Sequence, residues 1–452
     1  MTGIPLIIAF VVAVVLMIIA ISKWKVHPFL SIMGVSVLLA LVAGIPLTDV
    51  PGVIGAGFSG TFSSIGIVII LGALIGSILE QTGAALKLAD MVVKLVGKKN
   101  PELALELMGW VVSIPVFCDS GVVILDPIRK ALVKRTGSSS VAATVALSAG
   151  LYISHVFIPP TPGPIAAANT LGIGDNLLLV IGLGVLCSIF PLAAGLVYAK
   201  FIGKKVKSKD ELVEAGEVVK TYEELVAGYG ELPGGFNALA PIIVPVILMA
   251  LGTIGKQLGV TGFALNLLTF LGTPIISLAV GTIFAIAQLA IAKKMGEFYK
   301  ITNDTLKTVG PILFVTAAGG VLGKVISSTT MVAYITENAN FLMNLGIFFP
   351  FLLAAILKTA QGSSTVAITT TAGIMAPMMV SLGLGTPALG ALTVMAIGAG
   401  AMTVSHANDC YFWVVTNFGE MTPDQGYKTQ TILTLVMGIA SIIGIFLVSL
   451  FF

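Results

Sequence analysis

The chain has 452 residues, of which 57% are apolar and only 10% are Asp, Glu, Lys or Arg. An average soluble domain carries roughly 25% charged residues, and so few charges cannot cover a surface facing water. With a mean hydropathy of +1.06, the composition excludes a soluble enzyme, a disordered chain and a nucleic-acid binder, and leaves an all-α polytopic membrane protein.

Residues 4–22 are apolar and long enough to cross a bilayer. No basic n-region precedes them, so they read as a span and not as a signal peptide. Lys23 and Lys25 follow, and by the positive-inside rule they place the N-terminus outside. Residues 29–45 and 64–79 give the second and third spans, and Lys87, Lys94, Lys98 and Lys99 mark a cytoplasmic stretch. Two half-length apolar arms, 103–117 and 122–128, then flank Cys118-Asp119-Ser120-Gly121. Both outer ends of this unit are basic, which predicts a re-entrant hairpin entered from the cytoplasm. Non-helical backbone at that depth must line a cavity or pack in protein.

The next span starts near residue 140 and meets Pro159-Pro160-Thr161-Pro162-Gly163-Pro164. An intact helix does not hold such a proline cluster, so the span is expected to be broken. Residues 177–199 return to Lys200, Lys204, Lys205, Lys207 and Lys209. Residues 200–235 are the one long polar stretch, too short to bury much core, and read as a partly helical cytoplasmic linker.

The second half repeats the first. Gly72-Ala73-Leu74-Ile75-Gly76 recurs as Gly319-Gly320-Val321-Leu322-Gly323, Ser120-Gly121 as Gln361-Gly362, Thr144-Val145 as Thr393-Val394, Ala149-Gly150 as Ala399-Gly400, and Ser154-His155 as Ser405-His406. The paired Gly-x-x-x-Gly segments suit close helix packing. Residues 87–135 carry eight basic side chains and residues 324–380 carry two, Lys324 and Lys358. Five crossings and one hairpin per half would invert the second copy. Inverted repeats with discontinuous helices meeting at the midplane mark a secondary transporter. The last span, 431–451, leaves the C-terminus outside.

Four irregular segments are expected to converge: the tips at 119–121 and 361–365, and the breaks at 154–164 and 405–409. Helix N-termini there would present N–H groups suited to a carboxylate. The candidate substrate-binding residues are Ser120, Gly121, Ser154, Thr161, Gln361, Gly362, Ser363, Ser364, Thr365 and Asn408. Asp119, between two apolar arms, is the sharpest candidate for proton coupling, since a carboxylate is costly to keep ionised within a membrane. His155, His406 and Asp409 are the others. A helix cap is the alternative reading of both Asp119 and Asp409, and Asp126 is expected to pair with Arg129. Lys358, three residues before Gln361, either helps to neutralise an anion or sits at the rim. The cysteines and histidines show no metal-ligand spacing, and neither a metal nor a cofactor is expected.

Val116-Phe117-Cys118-Asp119-Ser120-Gly121, Glu80-Gln81-Thr82-Gly83-Ala84, His155 through Pro164, and Ser405-His406-Ala407-Asn408-Asp409 with Phe412-Trp413 resemble the gluconate permease family of the ion transporter superfamily. The resemblance implies proton symport of a small organic anion such as gluconate, with D-serine carried by some members. It implies a homodimer in the inner membrane, two re-entrant hairpins, and a transport domain that moves elevator-like against a scaffold. On this chain the scaffold would be 1–100 and 236–342. The transport part would be 101–200 (hairpin 103–128, broken span 140–172) and 343–452 (hairpin 347–380, broken span 387–418), with 201–235 as the linker. The family pattern has a Glu near Asp119, a His where Thr161 stands, and a small residue plus Gly where Cys410-Tyr411 stand. These departures bear on which acid is carried. A cation/proton antiporter of the same superfamily is the rival function.

Overall fold

The computed structural model describes residues 3–96, 100–212, 232–257, 261–331, 334, 345–406 and 409–452. Among them every regular element is helical. The first half contains α1 (Ile4–Ser22), α2 (Pro28–Ala43), α3 (Val50–Gln81), α4 (Ala84–Val96), α5 (Pro101–Val112), α6 (Cys118–Thr136), α7 (Ser140–Phe157), α8 (Pro162–Thr170) and α9 (Leu177–Ile202). The second contains α10 (Gly235–Gln257), α11 (Gly262–Gly272), α12 (Pro274–Ile291), α13 (Phe298–Ser327), α14 (Phe348–Gln361), α15 (Ser364–Met375), α16 (Pro387–Met402), α17 (Cys410–Phe418) and α18 (Ile432–Ser449).

The helix ends follow local chemistry. Pro28, Pro101, Pro162, Pro274 and Pro387 each open a helix, where the missing N–H is no loss and the fixed φ is already helical. Gly44, Gly137 and Gly362 close helices in the left-handed conformation.

Among the described residues seven helical stretches are long and apolar enough to cross a membrane, or eight if α3 and α4, bent by 77° at their junction, form one span. Their lipid-facing sides stay apolar: Ile8, Val11, Val12 and Val15 of α1 are exposed, as are Ile439, Ile443 and Leu447 of α18. Helix α7 is instead buried along its whole length. Helix α3 is twice the length expected from residues 64–79. Its glycine-rich first half stays helical because it packs on α13, where a Cβ on Gly57 would stand 2.7 Å from the Val321 Cα.

The starts of α2, α3, α5, α6, α7 and α8 recur as those of α12, α13, α14, α15, α16 and α17, each 246 to 248 residues later. The Gly-x-x-x-Gly pairs serve the same purpose in both halves. A Cβ on Gly72 would stand 2.8 Å from the Pro160 carbonyl, and one on Gly76 would collide with the Pro115 carbonyl. A Cβ on Gly319 or Gly323 would come within 3.1 Å of the Thr369 carbonyl or 2.5 Å of the Gly373 carbonyl. Helix α3 therefore holds the irregular segments at Pro115 and Pro160, and α13 holds helix α15, at backbone contact.

Arg129, Lys130 and Lys207 come together where α6, the start of α7 and the end of α17 meet. Arg129 is fully buried there and donates to Asp126 at 2.6 Å, to Ser140 and to the Phe418 carbonyl. The expected Asp126–Arg129 pair is thus present, and Lys130 adds Glu420 at 3.0 Å. The linker starts on the same face: Glu211 accepts from Ser139 Oγ at 2.7 Å and from the Val141 N–H at 3.2 Å, and pairs with Lys207. Burial pushes the Glu211 carboxyl up, but these donors outweigh it and hold the group below the usual carboxylate range. Residues 213–231 of the linker lie outside the described residues.

Candidate functional site

A cavity of about 470 Å³ lies between two walls, within the size range of small-molecule sites. Three helix N-termini form the first wall: α6 with Phe117 to Ser120, α15 with Gly362 to Val366, and α17 with Asp409 to Tyr411. The opening N–H groups of a helix have no intrahelical partner and carry the positive end of its dipole. At α15 the turn depends on Gly362 at φ 88°, and Ser363 caps by accepting from the Val366 N–H at 3.3 Å. At α17 Asp409 caps by accepting from the Tyr411 N–H at 3.0 Å. Three such ends aimed at one space suit an anion.

Asp119 sits in the first turn of α6, with one carboxylate oxygen buried and without a partner. His155 lines the same cavity and is buried, with Nδ1 unpartnered and its ring 6.0 Å from that of Phe117. Tyr152 and Tyr411, with ring centroids 4.8 Å apart, complete this wall. Tyr411 Oη donates to the Ser148 carbonyl at 3.0 Å. The facing wall comes from the start of α2 and the middle of α13: His27, Pro28, Thr308, Pro311, Ile312 and Val315. A smaller space of about 180 Å³ shares Phe117, Ser120 and Thr308 with the cavity and continues past Glu80, Gln81, Glu297, Lys300 and Asp304.

Of the two readings of Lys358, the structure excludes the rim position. It is fully buried, with Nζ 2.6 Å from Asp409 Oδ2 and 2.6 Å from the Gly362 carbonyl. Asp409 Oδ2 also accepts from Ser405 Oγ. The ammonium thus ties the turn between α14 and α15 to the start of α17 and neutralises a carboxylate on the cavity wall.

Of the expected site residues, Asp119, Ser120, His155, Gly362, Ser363, Ser364, Thr365 and Asp409 line the cavity. Others do not. Gly121 packs against Leu151, into which a Cβ would run. Ser154 is fully buried off the cavity, with Oγ unpartnered. Thr161 donates to the Ile158 carbonyl at 2.6 Å, so the proline-rich break meets its own polar groups and faces α3. His406 Nε2 lies 2.9 Å from the Thr359 carbonyl. The Gln361 side chain and Asn408 lie outside the described residues. The Ser-His repeat is also out of helical register: His155 is inside α7, whereas His406 stands in the gap before α17. Among the described residues no His, Cys, Asp and Glu group could hold a metal ion. Sequence reasoning missed His27 and Tyr152 as cavity residues, whereas Cys410 and Tyr411, singled out as departures from the family pattern, do line the cavity. The lone charge of Lys358 in an apolar arm was the one signal available.

Residues 4–451 match the GntP family permeases. The chain belongs to that family. It is a multi-pass membrane transport protein and not an enzyme. An uncharacterized permease of Haemophilus influenzae is 33% identical over 92% of this chain and 86% of its own length. The inner membrane permease YgbN of Escherichia coli is 31% identical over 97% of both chains. A gluconate permease of Zymomonas mobilis is 29% identical over 98% of this chain and 97% of its own. Among solved structures, the YdaH transporter of Alcanivorax borkumensis shares the fold with a TM-score of 0.64 at 16% identity, over 94% of this permease and 97% of that chain.

Proposed function

We propose that this permease imports a small organic anion, gluconate or a related sugar or hydroxy acid, together with a proton. The observation that carries the reading is the convergence of three helix N-termini and Asp119 on one cavity. The substrate class follows the gluconate permeases among its relatives. Ser120, Ser363, Ser364 and Thr365 supply hydroxyls there, and the N–H groups face the carboxylate. A Na⁺ or other cation would want oxygen ligands where these helices present donors, which disfavours a cation antiporter.

The charges give a reason for coupling. Lys358 is matched by Asp409, so an ionised Asp119 already leaves one negative charge at the cavity. A substrate carboxylate would make two, with no further cation among the cavity-lining residues unless a histidine is charged. A proton on Asp119 removes one, and the helix ends then meet the other. Asp119 is therefore assigned as the proton carrier, with His155 on the same cavity, while Asp409 serves as the fixed counter-ion of Lys358.

The two walls support alternating access. The polar wall comes from residues 101–200 and 343–452, the facing wall from 1–100 and 236–342, and the first moves against the second as an elevator. The repeats are inverted, with the two hairpins entering from opposite sides. Lys23, Lys25, Lys209 and Lys294 lie on the cytoplasmic side, both termini are outside, and the protein works as a homodimer. The smaller space beside Glu297 and Lys300 makes the present state inward-facing.

The test is uptake by proteoliposomes of sugar acids, short hydroxy acids and D-serine, with and without an inward proton gradient. Accumulation of a sugar acid only with the gradient is expected. Accumulation that needs Na⁺, or ignores pH, would overturn the coupling; transport of none of the acids would overturn the substrate class.

A further inference from the structure

The wall formed by α2 and α13 offers the cavity only two polar side chains, Thr308 and His27. Thr308 already commits its hydroxyl proton to the Asp304 carbonyl at 3.0 Å. His27 is the N-cap of α2, and its Nδ1 accepts the Phe29 N–H at 3.2 Å. An imidazole that accepts at Nδ1 carries its proton on Nε2. The cap thus fixes the tautomer and leaves His27 as a donor on an otherwise apolar wall, across from the helix N-termini and the Asp119 carboxylate.

We propose that His27 is a specificity-determining residue whose Nε2–H donates to a hydroxyl or carboxylate oxygen of the bound hydroxy acid, and does so only in the conformation seen here. The second part rests on the two-wall motion proposed above. His27 belongs to one wall and the anion-holding helix ends to the other, so their relative movement separates them. A ligand that spans both walls needs a second polar group besides the one held at the N-termini. That favours a polyhydroxy acid over a simple monocarboxylate. The contact stabilises the loaded carrier in this state and affects affinity only at the face to which the cavity then opens.

His27→Asn separates contact from capping. Asn is a good N-cap but is too short to carry a donor where Nε2 stands. Transport of D-gluconate, or of whichever acid the wild type carries fastest, is measured in right-side-out and in inverted membrane vesicles. Loss of one hydrogen bond corresponds to roughly a 3- to 10-fold change in affinity. The expected result is a KM raised by that factor in inverted vesicles and unchanged in right-side-out vesicles, with wild-type thermal stability. Unchanged KM at both faces removes His27 from the substrate. An equal rise at both faces keeps the contact but overturns its restriction to one state, and with it the two-wall motion. His27→Ala removes cap and contact together. A KM rise in the Ala variant alone would show that His27 acts only through the helix cap, and would overturn the proposal.

Discussion

Replacing Lys358 with Ala should damage this protein far more than its place in an apolar arm suggests. The ammonium is fully buried, 2.6 Å from Asp409 and 2.6 Å from the Gly362 carbonyl. At an effective dielectric constant of about 20, a pair at that distance attracts by about 6 kcal/mol, most of which offsets desolvation. Removing one partner forfeits the attraction while the other charge stays buried, at a cost of about 3–5 kcal/mol. Part of that falls on function, because Lys358 also holds the carbonyl at the left-handed turn that aims α15 at the cavity. Lys358→Ala should unfold several degrees earlier in detergent and bind substrate weakly. The double variant Lys358→Met with Asp409→Asn leaves no bare charge and should recover most of the stability. The assays are thermal unfolding of the purified variants and equilibrium binding of the radiolabelled acid, read as a double-mutant cycle with a coupling of about 2 kcal/mol or more. A Lys358→Ala protein with wild-type unfolding temperature and affinity, or a cycle that closes at zero, would refute the account of a buried pair.

Asp119→Asn keeps size and hydrogen bonding but cannot ionise; it should abolish gradient-driven accumulation while substrate exchange persists, and pH-driven accumulation by the variant would move the proton elsewhere. Gly362→Val puts a β-branched residue at φ 88°, a conformation L-residues avoid, and should block transport, with binding measurements showing whether affinity falls as well. Glu211→Gln should lower stability modestly at neutral pH. The Glu211 carboxyl is held below the usual range in the folded protein, so its contribution is present above the unfolded value and is lost as pH falls through the folded-state value; unfolding of variant and wild type should converge only at pH below that. A cysteine at Lys209 should resist an impermeant thiol reagent added outside intact cells, and labelling there would reverse the proposed topology.

The sequence makes visible whatever a short stretch encodes by itself. Asp119 stands out because a carboxylate between two apolar arms is expensive wherever the arms go, and the proline cluster marks a break because four rings cannot fit one helix. Pairing across the chain is different. Lys358 and Asp409 are 51 residues apart, and nothing in either stretch announces the other. Thr161 stands in a motif that drew attention, yet its hydroxyl is satisfied three residues away. The Ser-His repeat matched by identity, but the helix starts repeat at 246 to 248 residues while the histidines are 251 apart, and the few extra residues move one of them from a helix into a break. Residue identity is thus a poor guide to equivalence, and the positions of helix starts a better one. A helix start also decides which polar groups lack a partner, and in a protein this apolar those groups, more than side-chain charge, are what a site for an anion can be built from.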